Sequence, residues 1–126
     1  MTRGTASGTG VVKRADSVER RTIAAGKGAE VQVLLGEDDG APHFAMRRFR
    51  MEAGGGMPLH TNEVEHEQYV LNGRARITVG EDVHDVSEGD VLYIPARMPH
   101  SYEVVDGPFE FLCMVPNRPD RIEVLE

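Results

Sequence analysis

The chain has 126 residues and a formal net charge of −7, with 40% hydrophobic and 28% charged residues. This length suits one domain with its own core, and the apolar fraction is too high for a disordered chain. Because a phosphate-binding surface must be basic, the negative charge argues against nucleic-acid and anionic-membrane partners. We therefore expect neither a nucleic acid nor a membrane among the partners of this protein.

The first ten residues are mostly Gly, Ser and Thr, which predicts a flexible arm over 1–10 followed by a single domain over 11–126. The N-terminus has no apolar segment typical of a signal peptide, and no run of 18 apolar residues occurs. The single cysteine, Cys113, cannot form an intrachain disulfide, which fits a reducing compartment. These features predict a cytoplasmic protein.

From Val11 onward the sequence consists of short apolar segments separated by turn residues, with one weak helical segment around 14–25. The segments are too short for helices and are rich in Val, Ile, Tyr and Phe, so they predict strands. Asn72-Gly73 predicts a hairpin turn after the strand QYVL. The strands occur every 8–12 residues, a spacing typical of an all-β sandwich or barrel. In chain order they are 31–35, 44–51, 68–71, 76–79, 83–86, 91–94, 101–105 and 109–115.

The segment PLHTNEVEHEQYVLNG (58–73) concentrates polar side chains that can bind a metal. Residues i and i+2 of a strand point to one face, so His60 and Asn62 would point the same way. His66 begins the next strand and would fold back toward His60 if the two strands paired antiparallel. A further ligand must come from elsewhere, and His100, which opens the strand SYEVV, is the candidate.

At these residues the sequence resembles the cupins. Gly54-x5-His60-x-Asn62-x3-His66-x6-Gly73 is similar to their first signature, and Gly89-x5-Pro95-x4-His100 is similar to their second. The resemblance implies a jelly-roll (double-stranded β-helix) barrel that holds a metal through His60, Asn62, His66 and His100. The sequence departs from the common pattern in four places. In the first signature Asn62 replaces a histidine and His66 stands where many members have glutamate. In the second, Arg97 stands where glycine is usual and Val104 where asparagine is common.

Asn62 leaves two alternatives open: its amide oxygen ligates the metal, or the three histidines ligate alone and leave more positions for water or substrate. In both cases the ligands are neutral, so the metal keeps its charge and favours anionic oxygen donors such as enolates, phenolates or carboxylates. We expect Mn²⁺ or Fe²⁺, with Zn²⁺, Ni²⁺ and Cu²⁺ as alternatives. Glu63, Glu65 and Glu67 are interpreted as a solvated turn, and His43 and His84 as surface residues.

Three further residues are candidates for the cavity. In FAMRRFRM (44–51) Ala45, Arg47, Phe49 and Met51 share one face, so an inward Arg47 would need an anion and could orient a substrate carboxylate. A surface or interface position for Arg47 is the alternative. Phe109, Phe111, Cys113 and Val115 alternate onto one face, which places Phe111 and Cys113 near the cavity. Nothing at a suitable spacing would activate the thiol as a nucleophile.

We consider three functions for the small-molecule site. The first is a dioxygenase-like oxidoreductase acting on a small anionic or phenolic substrate, with Arg47 orienting it. The second is a non-redox isomerase or decarboxylase, which needs an acid or base such as Tyr69 or Tyr93. The third is a non-catalytic binding module. A homodimer is expected, because the N-terminal strands could cover an open sheet edge.

Overall fold

The computed structural model describes residues 10–125, and almost all of its regular structure is β-strand. Two short 3-10 helices span Ala15–Ser17 and Glu37–Asp39, so the helix expected around 14–25 is reduced to one turn. No helix within 10–125 is long and apolar enough to cross a membrane. Most of the arm predicted over 1–10 lies outside the described residues. The strands are β1 (Arg21–Thr22), β2 (Lys27–Leu35), β3 (Phe44–Thr61), β4 (His66–Val79), β5 (Asp82–Ser87), β6 (Val91–Ile94), β7 (His100–Pro116) and β8 (Glu123–Val124).

The strands form one antiparallel sheet in the order β1-β2-β3-β7-β4-β5, with β6 on β4 and β8 on β3. Three strands are long enough to change partners along their length. The first halves of β3 and β4 pair with the second half of β7, and their second halves pair with its first half. The sheet therefore folds over on itself into two facing layers, which confirms the jelly-roll class inferred from the sequence.

The long strands bend where glycine allows it. Between Met51 and Gly56 the register of β3 against β7 shifts, and Gly56, at φ 155°, lies so close to the backbone of Tyr102 that a Cβ would clash. The segment Gly54-Gly55-Gly56 therefore interrupts the regular pairing of β3 with β7 and lets the strand bend.

The predicted hairpin at Asn72-Gly73 is wrong. β4 continues through both residues, with register shifts on either side and Gly73 at φ 84°, so this is a bulge rather than a turn. The Asn72 side chain donates a hydrogen bond to the carbonyl oxygen of Pro108 on β7, which keeps the strand paired. The reversal between β4 and β5 occurs instead at Gly80-Glu81, because Val79 pairs with Asp82.

The core lies between the two layers, and β7 supplies much of it. Phe109, Phe111, Cys113 and Val115 are all buried, as their alternation predicted. Phe111 stacks on Phe49 and on Tyr102, with ring centroids 5.0 and 5.4 Å apart. The apolar faces of β3 and β7 thus form one wall of a cavity that polar residues of β3, β4 and β7 also line.

Candidate metal centre

The four residues predicted from the sequence to bind a metal lie on one cavity of about 290 Å³. His60 and His100 are directly paired across β3 and β7, and their ring centroids are 4.2 Å apart. The ring of His66 lies 5.9 Å from that of His100. All four are buried, with 3% exposure for His60, 5% for Asn62, 5% for His66 and 1% for His100.

The route by which His66 reaches the other histidines differs from the expected one. β4 does not pair with β3, because β7 lies between them. His66 pairs with Ile94 of β6 in one layer, while His60 and His100 belong to the other layer. The cluster therefore forms across the interior of the barrel rather than along one hairpin.

Hydrogen bonds fix the orientation of two of the rings. Nδ1 of His60 bonds to the carbonyl oxygen of Pro58 at 2.7 Å, and Nδ1 of His100 bonds to the carbonyl oxygen of Met98 at 2.9 Å. A carbonyl oxygen only accepts, so Nδ1 carries the proton in both rings and Nε2 keeps its lone pair. Metal-ligating histidines are commonly held in this way.

Asn62 is oriented by Asp120, a residue that the sequence analysis missed. The amide nitrogen of Asn62 donates to a carboxylate oxygen of Asp120 at 3.1 Å, and the backbone N–H of Glu63 donates to the other at 2.7 Å. β8 pairs with β3 at His60 and Thr61, which brings the C-terminal segment alongside. The amide oxygen is thereby left as the free donor atom of Asn62.

Three buried atoms of the predicted ligand set have no hydrogen-bond partner: Asn62 Oδ1, His66 Nε2 and His100 Nε2. Buried polar atoms are normally paired, so three such atoms on one cavity indicate a missing partner. Across residues 10–125, no group of three His, Cys, Asp or Glu side chains already has the geometry of a metal site. The donor set nevertheless fits a metal chemically, because imidazole nitrogens and an amide oxygen can both bind divalent transition metals.

The electrostatics keep the histidines neutral, which metal binding requires. Burial lowers the pKa of His66 to about 3, helped by the positive charge of Arg47, and lowers that of His100 to about 4. The pKa of His60 is lowered as well, chiefly by burial, although its bond to Pro58 and the charge of Asp120 act in the opposite direction. All three rings thus have neutral donor atoms near pH 7.

The other predicted cavity residues occupy inward positions. Arg47 and Phe111 line the cavity, and Cys113 lies buried beside Arg47, with its thiol pKa raised by burial. His43, His84, Glu63 and Glu65 are exposed, whereas Glu67 is half-buried. Tyr69 and Tyr93, the acid–base candidates, are exposed on the outer surface, so the structure does not support that role.

Two polar cavity residues were missed although strand parity could have found them. Gln68 lies two residues after His66 and Tyr102 two residues after His100, so each shares the inward face of a ligand candidate. Gln68 donates a hydrogen bond to the hydroxyl of Tyr102 at 2.7 Å. Burial raises the pKa of Tyr102, so this hydroxyl keeps its proton.

Arg97, one of the departures from the family pattern, has a strained backbone conformation. It adopts φ 63°, the left-handed conformation that glycine takes most easily and that a side chain makes unfavourable. The position lies in the loop before His100, where the N–H of Arg97 donates to the carbonyl oxygen of Asn62 at 2.8 Å. The loop is therefore tied directly to the ligand region.

The chain belongs to the cupin family: the Cupin domain profile matches residues 47–115, more than half of the sequence. Over 77 residues it is 31% identical to the oxalate decarboxylase OxdC of Bacillus subtilis, a match covering 57% of this chain and 20% of that protein. Over 106 residues it is 30% identical to the 1-methylthio-D-xylulose 5-phosphate methylsulfurylase of Rhodospirillum rubrum, covering 83% and 60%. The chain spans less than two thirds of either relative.

Solved structures agree with the fold. The polyketide cyclase RemF from Streptomyces resistomycificus is similar with a TM-score of 0.82 at 26% identity, covering 94% of this chain and 88% of that one. A cupin-2 domain protein of Rhodospirillum rubrum, Rru_A2000, is similar with a TM-score of 0.80 at 26% identity, covering 92% and 80%. The named relatives carry out different reactions, so membership of the family does not choose among them.

Proposed function

We propose that this protein binds a divalent transition metal, Mn²⁺ or Fe²⁺, through His60, Asn62, His66 and His100, and acts as an oxidoreductase on a small anionic or phenolic substrate. The observation that carries the proposal is the set of buried polar atoms without a hydrogen-bond partner on one cavity: Asn62 Oδ1, His66 Nε2 and His100 Nε2. A bound metal of this kind would polarise a substrate oxygen and supply redox chemistry with oxygen.

The chain itself provides binding and exclusion of water. Arg47 offers a positive charge to an anionic substrate, and the apolar side chains of Met51, Phe49 and Phe111 cover its carbon skeleton. The carbonyl oxygens of Pro58 and Met98 hold two of the imidazoles in place. The proposed ligands are all neutral and do not offset the charge of the metal, which favours an anionic oxygen of the substrate; the Asp120 carboxylate also lines the cavity but bonds to Asn62.

The test is the metal content of protein purified without an affinity tag, measured by plasma mass spectrometry. We expect about one Mn or Fe per chain, lost in His100→Ala and retained in His84→Ala, which removes an exposed histidine. Oxygen uptake with phenolic and enolic compounds then tests the reaction. A wild-type protein that takes up no metal even after reconstitution would contradict the proposal and favour a binding module.

A non-redox reaction is the second candidate, because Tyr102 places a protonated hydroxyl in the cavity. Because its pKa is raised, this group keeps its proton and could donate a hydrogen bond to a substrate oxygen during isomerisation, cyclisation or decarboxylation. Product formation without oxygen, lost in Tyr102→Phe but with metal content unchanged, would favour this reaction over the oxidoreductase.

We also propose a cytoplasmic homodimer. β1 pairs with only two residues of β2, so much of β2 is left as a sheet edge at which a second copy could pair. Light scattering of the purified protein is the measurement, and a monomer at about 100 μM would contradict the dimer.

A further inference from the structure

Arg47 is an inward-facing cation without an anion. Its Nε atom is buried and has no hydrogen-bond partner, its Nη2 contacts the Cys113 sulphur at 3.9 Å, and its guanidinium lies 5.1 Å from the ring centroid of Phe49. No carboxylate lies within ion-pair distance of it in the described part of the chain. The adjacent Arg48, on the other face of β3, pairs with Glu110 at 2.8 Å. Arg47 is half-buried and has no carboxylate beside it, so its charge is free to bind a negatively charged ligand.

Gln68, which lies near Arg47, has a buried hydrogen-bond acceptor without a partner, whereas Arg47 has a buried donor without one. It is 3% exposed, and its amide nitrogen donates to the Tyr102 hydroxyl at 2.7 Å and contacts the Cys113 sulphur at 3.7 Å. These two contacts fix the orientation of the amide, so the carbonyl oxygen is the free atom, and it has no partner. A buried acceptor in this position requires a hydrogen-bond donor.

The fold places the two side chains as a pair. Arg47 on β3 and Gln68 on β4 both lie opposite Cys113 on β7, in one row across three neighbouring strands. Both side chains approach the same sulphur atom and both line the same cavity. A ligand of a few atoms can therefore reach the two unpartnered groups together.

We propose that Arg47 and Gln68 form a two-point recognition site for a hydroxycarboxylate or the related enol acid. The ligand carboxylate binds the guanidinium, and its neighbouring hydroxyl donates to the amide oxygen of Gln68. This inference rests on the proposed function, because it names the class of substrate for the same cavity.

The size and lining of the cavity support this class. A volume of 290 Å³ corresponds to about ten water molecules, so the ligand is small. The inward guanidinium of Arg47 matches one carboxylate, because the other arginine that lines the cavity, Arg21, is exposed and pairs with Glu19 at 3.6 Å. The aromatic and apolar side chains of Phe49, Met51 and Phe111 suit a short or aromatic carbon skeleton.

The test is isothermal titration of matched acids into the full-length protein, both after chelator treatment and after loading with Mn²⁺. Glycolate, lactate and mandelate are each compared with the acid that lacks the hydroxyl: acetate, propionate and phenylacetate. Mandelamide is the neutral control. We expect at least one hydroxy acid to bind about tenfold or more tightly than its hydroxyl-free counterpart, and mandelamide to bind more weakly than mandelate.

Substitutions of Arg47 and Gln68 test which side chain binds the carboxylate and which binds the hydroxyl. Arg47→Met should weaken every carboxylate by about tenfold or more, whereas Gln68→Leu should remove only the preference for the hydroxyl. Arg48→Met, which removes the neighbouring outward arginine, should bind as the wild type does. If Arg47→Met does not fold, as judged by circular dichroism, Arg47→Lys takes its place. A smaller loss of affinity is then expected, because lysine keeps the positive charge and lacks only the planar, two-point geometry of the guanidinium.

Equal binding of hydroxy and hydroxyl-free acids, no binding of any acid, or unchanged affinity in folded Arg47 and Gln68 variants would overturn the inference. Metal content measured on the same samples separates it from the proposed function. Metal present with no dependence on Arg47 overturns this site alone. Metal absent with Arg47-dependent binding overturns the metal proposal and leaves the hydroxycarboxylate site standing.

Discussion

Replacement of Asp120 by alanine should weaken metal binding although Asp120 is not a proposed ligand. Its carboxylate accepts hydrogen bonds from the Asn62 amide at 3.1 Å and from the backbone of Glu63 at 2.7 Å. Without it, the amide can rotate and present nitrogen instead of oxygen to the cavity. Loss of such a supporting contact typically lowers metal affinity by about 10–100-fold, or about 1.4–2.8 kcal/mol.

The same substitution should have little effect on folding. Asp120 is exposed, so its hydrogen bonds compete with water and their loss should lower the free energy of unfolding by about 1 kcal/mol or less. A large loss of affinity with a small loss of stability would therefore identify a positioning role rather than general unfolding.

The assay is competition for Mn²⁺ against a chelator of known affinity, with urea denaturation of the same samples. Asp120→Asn keeps one acceptor oxygen and should fall between the wild type and Asp120→Ala. Asp85→Ala removes an exposed carboxylate on β5, away from the cavity, and should leave metal affinity unchanged. Wild-type affinity in Asp120→Ala, with folding intact, would refute the reasoning that Asn62 ligates through an oxygen oriented by Asp120.

Three further outcomes are expected. The pKa values of His66 and His100 are lowered from 6.5 to about 3 and about 4, so between those values and 6.5 the unfolded chain binds protons that the folded protein does not. Metal-free protein should thus lose about 1–4 kcal/mol of stability between about pH 7 and pH 5 in urea titrations, and less in a His66→Gln variant. Phe111→Ala should cost about 3–5 kcal/mol by urea denaturation, because the ring is fully buried between two aromatic neighbours. Gly56→Ala should lower the melting temperature sharply or prevent folding, since its Cβ would meet the backbone of Tyr102; a wild-type melting temperature would contradict the close approach.

Much of the fold followed from local sequence pattern. The short segments rich in Val, Ile, Tyr and Phe were strands, and β6 coincided with the predicted segment 91–94. Strand parity placed Phe109, Phe111 and Cys113 inside, because alternate side chains of a strand point to opposite faces. Parity grouped Arg47 with Ala45, Phe49 and Met51 but left open whether this face points inward, and the structure places Arg47 on the cavity. The two signature spacings selected His60, His66 and His100, which line the same cavity.

Local sequence pattern led to a wrong prediction where the same residues favour either a hairpin turn or a bulge. Asn72-Gly73 favours a hairpin because glycine adopts positive φ easily, yet a bulge within a long strand has the same requirement. Only the pairing of β4 with β7 on both sides of Gly73 decides between them. In the same way, Gly107-Pro108 separated two predicted segments that form one strand.

The sequence by itself determined the all-β class, the inward face of β7 and the three histidines that line the cavity. The tertiary structure alone decided which distant groups complete the cavity. It placed β7 between β3 and β4, brought Asp120 to Asn62 across 58 residues of sequence, and aligned Arg47 and Gln68 on the same cysteine. The physical reason is that a strand's periodicity fixes the direction of its side chains, whereas its neighbours depend on the packing of the whole sheet.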